Sequence, residues 1–391
     1  MIGITKLLTG EALLSAAVRA DGRRAPHLLQ FSAADKPVVV WNMTDRCNLE
    51  CSHCYLSSSP DADARALATG EARSLIDDLA QMGAPVLLFS GGEPLLREDL
   101  FELASYASAK GLRPSLSTNG TLITREAAVR LKDAGIAYVG VSIDGTERTH
   151  DAFRCRRGAF ADALAGIAAA AAAGLRTGVR FTLNKHNAAD LGAVLDMVAG
   201  EGIGRFCMYH LVYAGRGASM RGDDVALSES RAAVELLIEK ALAWASRGID
   251  AEILTTDNHA DGALVLRYIE RSIPGRAADA RALLEMAGGC SAGRKFACIG
   301  SDGSAYPCQF WRHEPLGNVR ESRLSALWQR GASALIDTLK DMGAHLSGRR
   351  CRLCRYKAIC GGCRIRALAA TGDAWSDDPQ CYLSDAEIGI V

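Results

Sequence analysis

No sign of charge dominates this chain. Lysine and arginine number 45, and so do aspartate and glutamate, so there is no global field to draw a polyanion and nucleic acid is not an expected partner. Long apolar runs are missing too. None approaches the roughly 20 residues needed to cross a bilayer, and no membrane partner is expected. At the N-terminus, Leu7, Leu8, Leu13 and Leu14 are interrupted by Lys6, Glu11 and Arg19, with no small-residue cleavage site after a long apolar stretch. This pattern predicts a short amphipathic helix rather than a secretory signal, and a soluble, cytoplasmic protein.

What the chain does have is cysteine, 13 residues in 391. That count suits a disulfide scaffold only in a much shorter secreted chain; in a large one, clustered cysteines more often bind metal. The length exceeds one ordinary hydrophobic core and predicts a large catalytic domain plus a smaller one. An apolar fraction of 49% with 23% charge is that of a folded globular protein.

From Pro37 to about Arg205, short apolar runs alternate with helix-like segments, as in βα units around a parallel sheet. The expected strands are Val38 to Met43, Val86 to Ser90, Pro114 to Thr118, Tyr138 to Ile143, Val179 to Asn184 and Arg205 to Leu211. Between them, Ala72 to Met82, Leu100 to Ala109, Arg125 to Ala134 and Ala159 to Ala173 are good helix formers. Each strand ends in a polar or glycine-rich turn, and in parallel α/β folds those ends carry the chemistry. The chain divides into an N-terminal helical extension (1–36), a barrel domain (37–227), a helical linker (228–287) and a cysteine-rich domain (288–391). Eight of the thirteen cysteines lie in that last part.

Cys47, Cys51 and Cys54 follow the first strand in a tight loop. Structural zinc prefers four closed ligands, whereas an iron-sulfur cube held by three thiolates leaves one iron open to a small molecule. The turn Gly91-Gly92-Glu93-Pro94 follows the next strand, where glycines permit close approach and a carboxylate accepts bonds from an amino group. Together these resemble the radical S-adenosylmethionine superfamily, over residues 37 to about 211. The resemblance implies an α/β fold, a partial (β/α)6 TIM-like barrel. It further implies that the three thiols hold a 4Fe-4S cluster whose fourth iron takes the amino and carboxylate groups of S-adenosylmethionine, which is cleaved to a 5′-deoxyadenosyl radical that abstracts hydrogen. Gly91 to Pro94 would bind the amino group, His53 would lie beside adenine, Ser117, Asn119, Ser142 and Asp144 would serve ribose and carboxylate, and Arg154 would assist. A low-potential donor such as flavodoxin or ferredoxin is the implied redox partner.

The C-terminal part resembles the SPASM domain, an extension carrying auxiliary 4Fe-4S clusters, over roughly residues 288 to 385. By motif, Cys351, Cys354, Cys360 and Cys381 would hold an outer cluster. Cys290, Cys308 and Cys363 would hold an inner one, with Cys298 as the candidate fourth ligand, giving three clusters in all. Cys155 and Cys207 fit no set.

Longer stretches are similar to the NirJ/AhbC subgroup, which builds modified haems; they include Tyr209 to Gly217 and Thr256 to Gly262. This implies attack on a propionate or acetate side chain of a sirohaem-derived tetrapyrrole. His210, Tyr209 and Tyr213 are the candidates for proton handling, with Arg216, Asp257, Asn258 and His259 as further substrate contacts. The alternative is a maturase of a ribosomally made peptide, forming a crosslink, a thioether or an oxidised residue, because those enzymes more typically carry the full inner cysteine set. A noncatalytic iron-sulfur carrier or zinc scaffold is a different class, against which the amino-acid-binding turn argues.

Overall fold

All six apolar runs form strands, and they pair in chain order. The computed structural model describes residues 1–10, 36–61 and 65–390. Ile2–Gly3 (β1) precedes Val38–Asn42 (β2), Leu87–Ser90 (β3), Pro114–Thr118 (β4), Val139–Ser142 (β5), Thr177–Leu183 (β6) and Arg205–His210 (β7). Each of β2 to β7 is parallel to the next. Strands covered on both faces read as near-continuous apolar runs, and Val39, Val40 and Trp41 of β2 are at most 1% exposed.

Crossover helices follow from ordinary capping and spacing. In Arg125–Asp133, the Thr124 hydroxyl accepts from the Ala127 amide at 3.0 Å, Glu126 sits in the first turn, and Arg130 and Lys132 sit in the last. Ala128 and Leu131 form its buried face. The Ala-rich helix Ala159–Ala172 buries small residues against the β4 turn. A Cβ on Gly166 would lie 2.2 Å from the Gly120 carbonyl oxygen, so the run is small because the turn is close.

The segment expected to be a helical linker contains a strand. Glu252–Thr256 (β8) lies between helices Leu227–Ser246 and Ala260–Ser272, runs parallel to β7, and makes seven parallel strands from β2 to β8. Three of its five residues, Ile253, Thr255 and Thr256, are β-branched and it ends at the Asp257-Asn258 turn, a signal too short to stand out between two long helices. The N-terminus is likewise more than a helix. β1 closes the sheet antiparallel to β8, then helix Ile4–Thr9 buries Ile4, Leu7 and Leu8; Leu13 and Leu14 fall outside the described residues.

At the other edge the cysteine-rich part joins the same sheet. Phe296–Ile299 (β9) runs parallel to β2, and Ser304–Tyr306 (β10) and Gly317–Asn318 (β11) continue antiparallel. One eleven-stranded sheet thus spans both expected domains. Among the described residues, no helix is long and apolar enough to cross a membrane.

Candidate active site

The loop after β2 is held from three sides. From the β3 turn, the amides of Gly92 and Glu93 donate to the Thr44 and Arg46 carbonyls at 2.8 and 2.7 Å. A Cβ on Gly91 would lie 2.4 Å from the Thr44 oxygen, and one on Gly92 2.1 Å from the Arg46 oxygen. The glycines therefore admit the cysteine loop; the close approach anticipated for a ligand is made by this loop's backbone. Arg216 reaches over from beyond β7, donating through Nε to the Cys51 carbonyl and through Nη1 to Ser58, both at 2.9 Å. From β4, Asn119 Nδ2 donates to Asn48 Oδ1 at 2.9 Å. Arg216 and Asn119 are thus loop clamps.

Cys47 and Cys51 are buried and Cys54 is half-buried beside them. Burial pushes the Cys47 thiol up to about 12, with the neighbouring Cys51 and Cys54 adding to the rise. Burial also raises Cys51, although Arg154 Nη1 lies 3.4 Å from its sulfur. Crowded, desolvated thiols of this kind become good ligands once a metal charge replaces the missing water. The donor set fits an iron-sulfur cluster.

Glu93 is fully buried, and its carboxylate is mostly committed. It accepts from Thr118 Oγ1 at 2.8 and 2.9 Å, from the Asn119 amide at 2.9 Å and from the Leu95 amide at 3.1 Å. A carboxylate has about four acceptor positions and the Thr118 hydroxyl has one proton to share between the two oxygens, so three donors join this side chain to the β3 and β4 turns and one acceptor position is left over. Pro94 opens the short turn that follows, fixing the direction of the chain there. Asp144, after β5, is held below the usual carboxylate range: burial would raise it, but Arg154, His53 and the Thr182 amide together outweigh that. Arg154 Nη2 donates to Asp144 Oδ2, the Thr182 amide donates to Oδ1 at 2.7 Å, and the Asp144 amide donates to His150 Nδ1 at 3.0 Å.

The carboxyl ends of β3 to β8 open onto one cavity, with about 700 Å³ of free space counting its mouth. Ser90, Ser117 and Ser142 supply hydroxyls from successive strands, and His53 forms a wall, stacked on Phe153 at 4.5 Å between ring centroids. Among the described residues its buried Nδ1 has no protein partner, and desolvation lowers the imidazole to about 4. Hydroxyls at the strand ends and an orphaned ring nitrogen suit a nucleoside. Tyr209, His210 and Asp257 line the same cavity. His210 Nε2 lies 2.9 Å from Asp261 Oδ2, and Asp261 Oδ1 accepts from Tyr382 at 2.7 Å. Asp257 has a left-handed φ of 69° and a buried Oδ2 without a partner; burial pushes its carboxyl up to about 6.

Besides Arg216, three expected substrate contacts lie elsewhere. Tyr213 packs with Phe153, Leu211 and Met220 and donates to Asp224 at 2.7 Å, because the chain has turned past the end of β7. Asn258 donates to the Gln380 carbonyl at 2.9 Å and faces the outer cysteines. His259 is buried outside the cavity, with Arg366 and Arg294 near it. Sequence reasoning missed Tyr55, Arg180, Thr182, Gln309 and Phe310, all of which line the cavity. The signal for Arg180 was present: one arginine interrupts the apolar Val179-Arg180-Phe181 run.

Cys351, Cys354, Cys360 and Cys381 line one cavity in the C-terminal part. Cys290, Cys308 and Cys363 pack around Trp311 and Leu339, and the first and last add to the burial-driven rise of the Cys308 thiol. Cys298 is apart from them. It is fully buried on β9, packs with Val40 and Tyr306, and accepts from Asn42 Nδ2 at 3.3 Å, because its strand alternation turns it toward β2. Cys155 is exposed and Cys207 is buried on β7. Among the described residues, no three of His, Cys, Asp or Glu stand at the spacing of a single bound ion. Gln309 and Phe310, directly after Cys308, form a wall of the active-site cavity, so the inner set adjoins it.

Residues 41–198 match the Radical SAM superfamily, and residues 290–363 match SPASM, an iron-sulfur cluster-binding domain. The chain is 48% identical to the Fe-coproporphyrin III synthase of Methanosarcina barkeri, over 100% of this chain and 99% of that one. It is 42% identical to the pre-heme d1 synthase of Dinoroseobacter shibae, over 91% and 88%. Among solved structures, Streptococcus suis SuiB bound to S-adenosylmethionine superposes with a TM-score of 0.71 at 17% identity, over 89% of this chain and 78% of that one. The enzyme anSMEcpe with bound AdoMet and a peptide superposes at 0.67 and 20% identity, over 90% and 95%. Identities that low speak for a shared fold alone.

Proposed function

The chain is an enzyme of the radical SAM superfamily with an iron-sulfur SPASM domain, and from that premise we propose that it modifies carboxylate-bearing side chains of a sirohaem-derived tetrapyrrole. The observation that carries this reading is the 48% identity to an Fe-coproporphyrin III synthase along the whole chain. When bound, the cluster and S-adenosylmethionine supply one-electron cleavage of a carbon-sulfur bond and hydrogen abstraction from an unactivated carbon. Cys47, Cys51 and Cys54 hold the cluster. His53 and the serines ending β3 to β5 line the place of the nucleoside, while Asp144 and Arg154 brace the loop beneath it. Tyr55 and Phe310, whose rings meet edge to face at 5.5 Å, exclude water on the C-terminal side. His210, oriented by Asp261, is the group placed to hold or move a proton.

Anaerobic incubation with a decarboxylated sirohaem, reductant and S-adenosylmethionine should yield 5′-deoxyadenosine and a pigment lighter by side-chain fragments. An unchanged pigment with a fully reconstituted enzyme would sink the reading. The complete inner cysteine set favours a second one, a maturase of a ribosomally made peptide; modification of a short precursor peptide in place of the pigment would establish it. The cysteine sets support three 4Fe-4S clusters, so iron and sulfide should each approach about 12 per chain after reconstitution. A value near four would remove both auxiliary clusters, and zinc without sulfide would remove the iron chemistry.

A further inference from the structure

Resting on the tetrapyrrole reading, we propose that Arg180 receives a carboxylate of the substrate and so selects a carboxylated side chain for attack. Along β6, Val179, Phe181 and Leu183 are at most 1% exposed, while Arg180 and Thr182 alternate to the other face and line the active-site cavity. The guanidinium donates through Nη1 to Ser117 Oγ, and no acidic group pairs with it among the described residues. Four other arginines at the barrel or beside it differ in this respect. Arg97 holds Asp99, Arg154 holds Asp144, Arg205 holds Glu252 and Arg366 holds Asp378. The aromatic and thiol groups around Arg180, Tyr209, Tyr138, Cys207 and Tyr55, carry no negative charge at neutral pH.

The strand beside it leaves room for this cation. A Cβ on Gly140 would lie 2.4 Å from Arg180 Nε and 2.9 Å from Cζ. A glycine inside a strand weakens it and commonly marks a close approach; here what approaches is the guanidinium. A guanidinium has five N–H donors in a planar fork matched to a carboxylate, and one bond to a serine leaves most of them unused. Arg180 is half-buried, and a cation partly withdrawn from water favours a counter-charge beside it. Asp257 lines the same cavity, but among the described residues no ion pair joins the two, and neither is among the charges that shift the other. The missing anion is therefore brought in by a ligand, and a carboxylate has the geometry.

Two carboxylates enter this cavity, the substrate's and the methionine carboxylate of the cofactor. The reconstituted holoenzyme, Arg180→Gln and Arg180→Lys should be titrated with a decarboxylated sirohaem, with its methyl ester and with S-adenosylmethionine. Equal iron content in all three proteins confirms that they are folded. The glutamine variant should bind the free acid about 10- to 100-fold more weakly, as expected for loss of a charge-assisted hydrogen-bonded pair. The lysine variant should recover part of that loss. The ester, bound more weakly by the unaltered enzyme, should bind the three proteins within twofold of one another, and so should S-adenosylmethionine. A selective loss of S-adenosylmethionine affinity overturns the proposal by giving Arg180 to the cofactor's carboxylate. Unchanged free-acid affinity in the glutamine variant overturns it too, while leaving the functional reading intact. If the unaltered enzyme binds no tetrapyrrole, the functional reading falls first and this proposal with it.

Discussion

Asp261 makes His210 a one-ended imidazole. The carboxylate is fully buried and only accepts, so it draws the proton of His210 to Nε2 and leaves Nδ1 as the free base. Tyr382 donates to the other oxygen, which fixes the orientation of the carboxylate. Asp261→Asn should lower turnover by about 100-fold, the scale of one positioned proton-transfer group, with little change in S-adenosylmethionine affinity. The double variant with His210→Gln should be no slower than either single variant, because the two act as a unit. Full turnover in Asp261→Asn would remove proton handling from His210. A second consequence at this scale concerns pH. Burial lowers His150 to about 4 against an ordinary value of about 6.5. Between those values the unfolded chain holds the extra proton, so stability present above pH 6.5 is lost as pH falls toward 4, by up to roughly 3 kcal/mol. Urea unfolding at pH 7 and pH 5 should show a smaller difference in His150→Asn, and an identical difference would contradict the assignment. Residue by residue, the serines at strand ends and His210, which line the cavity, were legible in the sequence because each ends a strand with a clear period. The sequence concealed Arg180, Gln309 and Phe310, whose place at the cavity depends on strand alternation in a closed sheet and on a distant segment folding back.

Turns here are positioned by what they touch. The β3 turn and the cysteine loop are one packed unit, since an added methyl at Gly92 would overlap the Arg46 carbonyl at 2.1 Å. That oxygen is backbone and cannot swing away. Gly92→Ala should therefore displace the loop, so that reconstitution yields about four fewer irons per chain while the C-terminal clusters still form. Iron analysis and the loss of S-adenosylmethionine cleavage check this, and a full complement of iron with normal cleavage would refute it. The strands β2 to β7 and the helices between them were legible because each carries its own period over enough residues. β8 was not, since five residues between two long helices leave no room for a pattern. Only pairing with β7 and β1 makes that segment a strand, and pairing is a property of the assembled sheet.

The same principle governs the whole molecule, where the expected boundary at residue 288 runs through a continuous sheet. β2 is hydrogen-bonded on one side to β3 and on the other to β9, with Val38 to Trp41 in register against Phe296 to Ile299. Removing residues 288–391 would strip β9 from β2 and leave an unpaired edge of Val38-Val39-Val40-Trp41. Long, flat, apolar edges of that kind template aggregation. The cut would also uncover the end of β7, where Arg366 donates to the Leu211 carbonyl and, at 2.8 and 2.9 Å, to Asp378. A fragment comprising residues 1–287 should therefore aggregate or unfold without a cooperative transition, although it keeps Cys47, Cys51, Cys54 and the turns around them. A fragment extended through Arg320 restores β9 to β11 and should be the more soluble of the two, because it pairs the edge even without the outer cysteines. Light scattering and thermal denaturation of both fragments decide the matter. If residues 1–287 give a monodisperse, cooperatively melting barrel, the C-terminal part is an independent appendage and the sheet's continuity carries no stability.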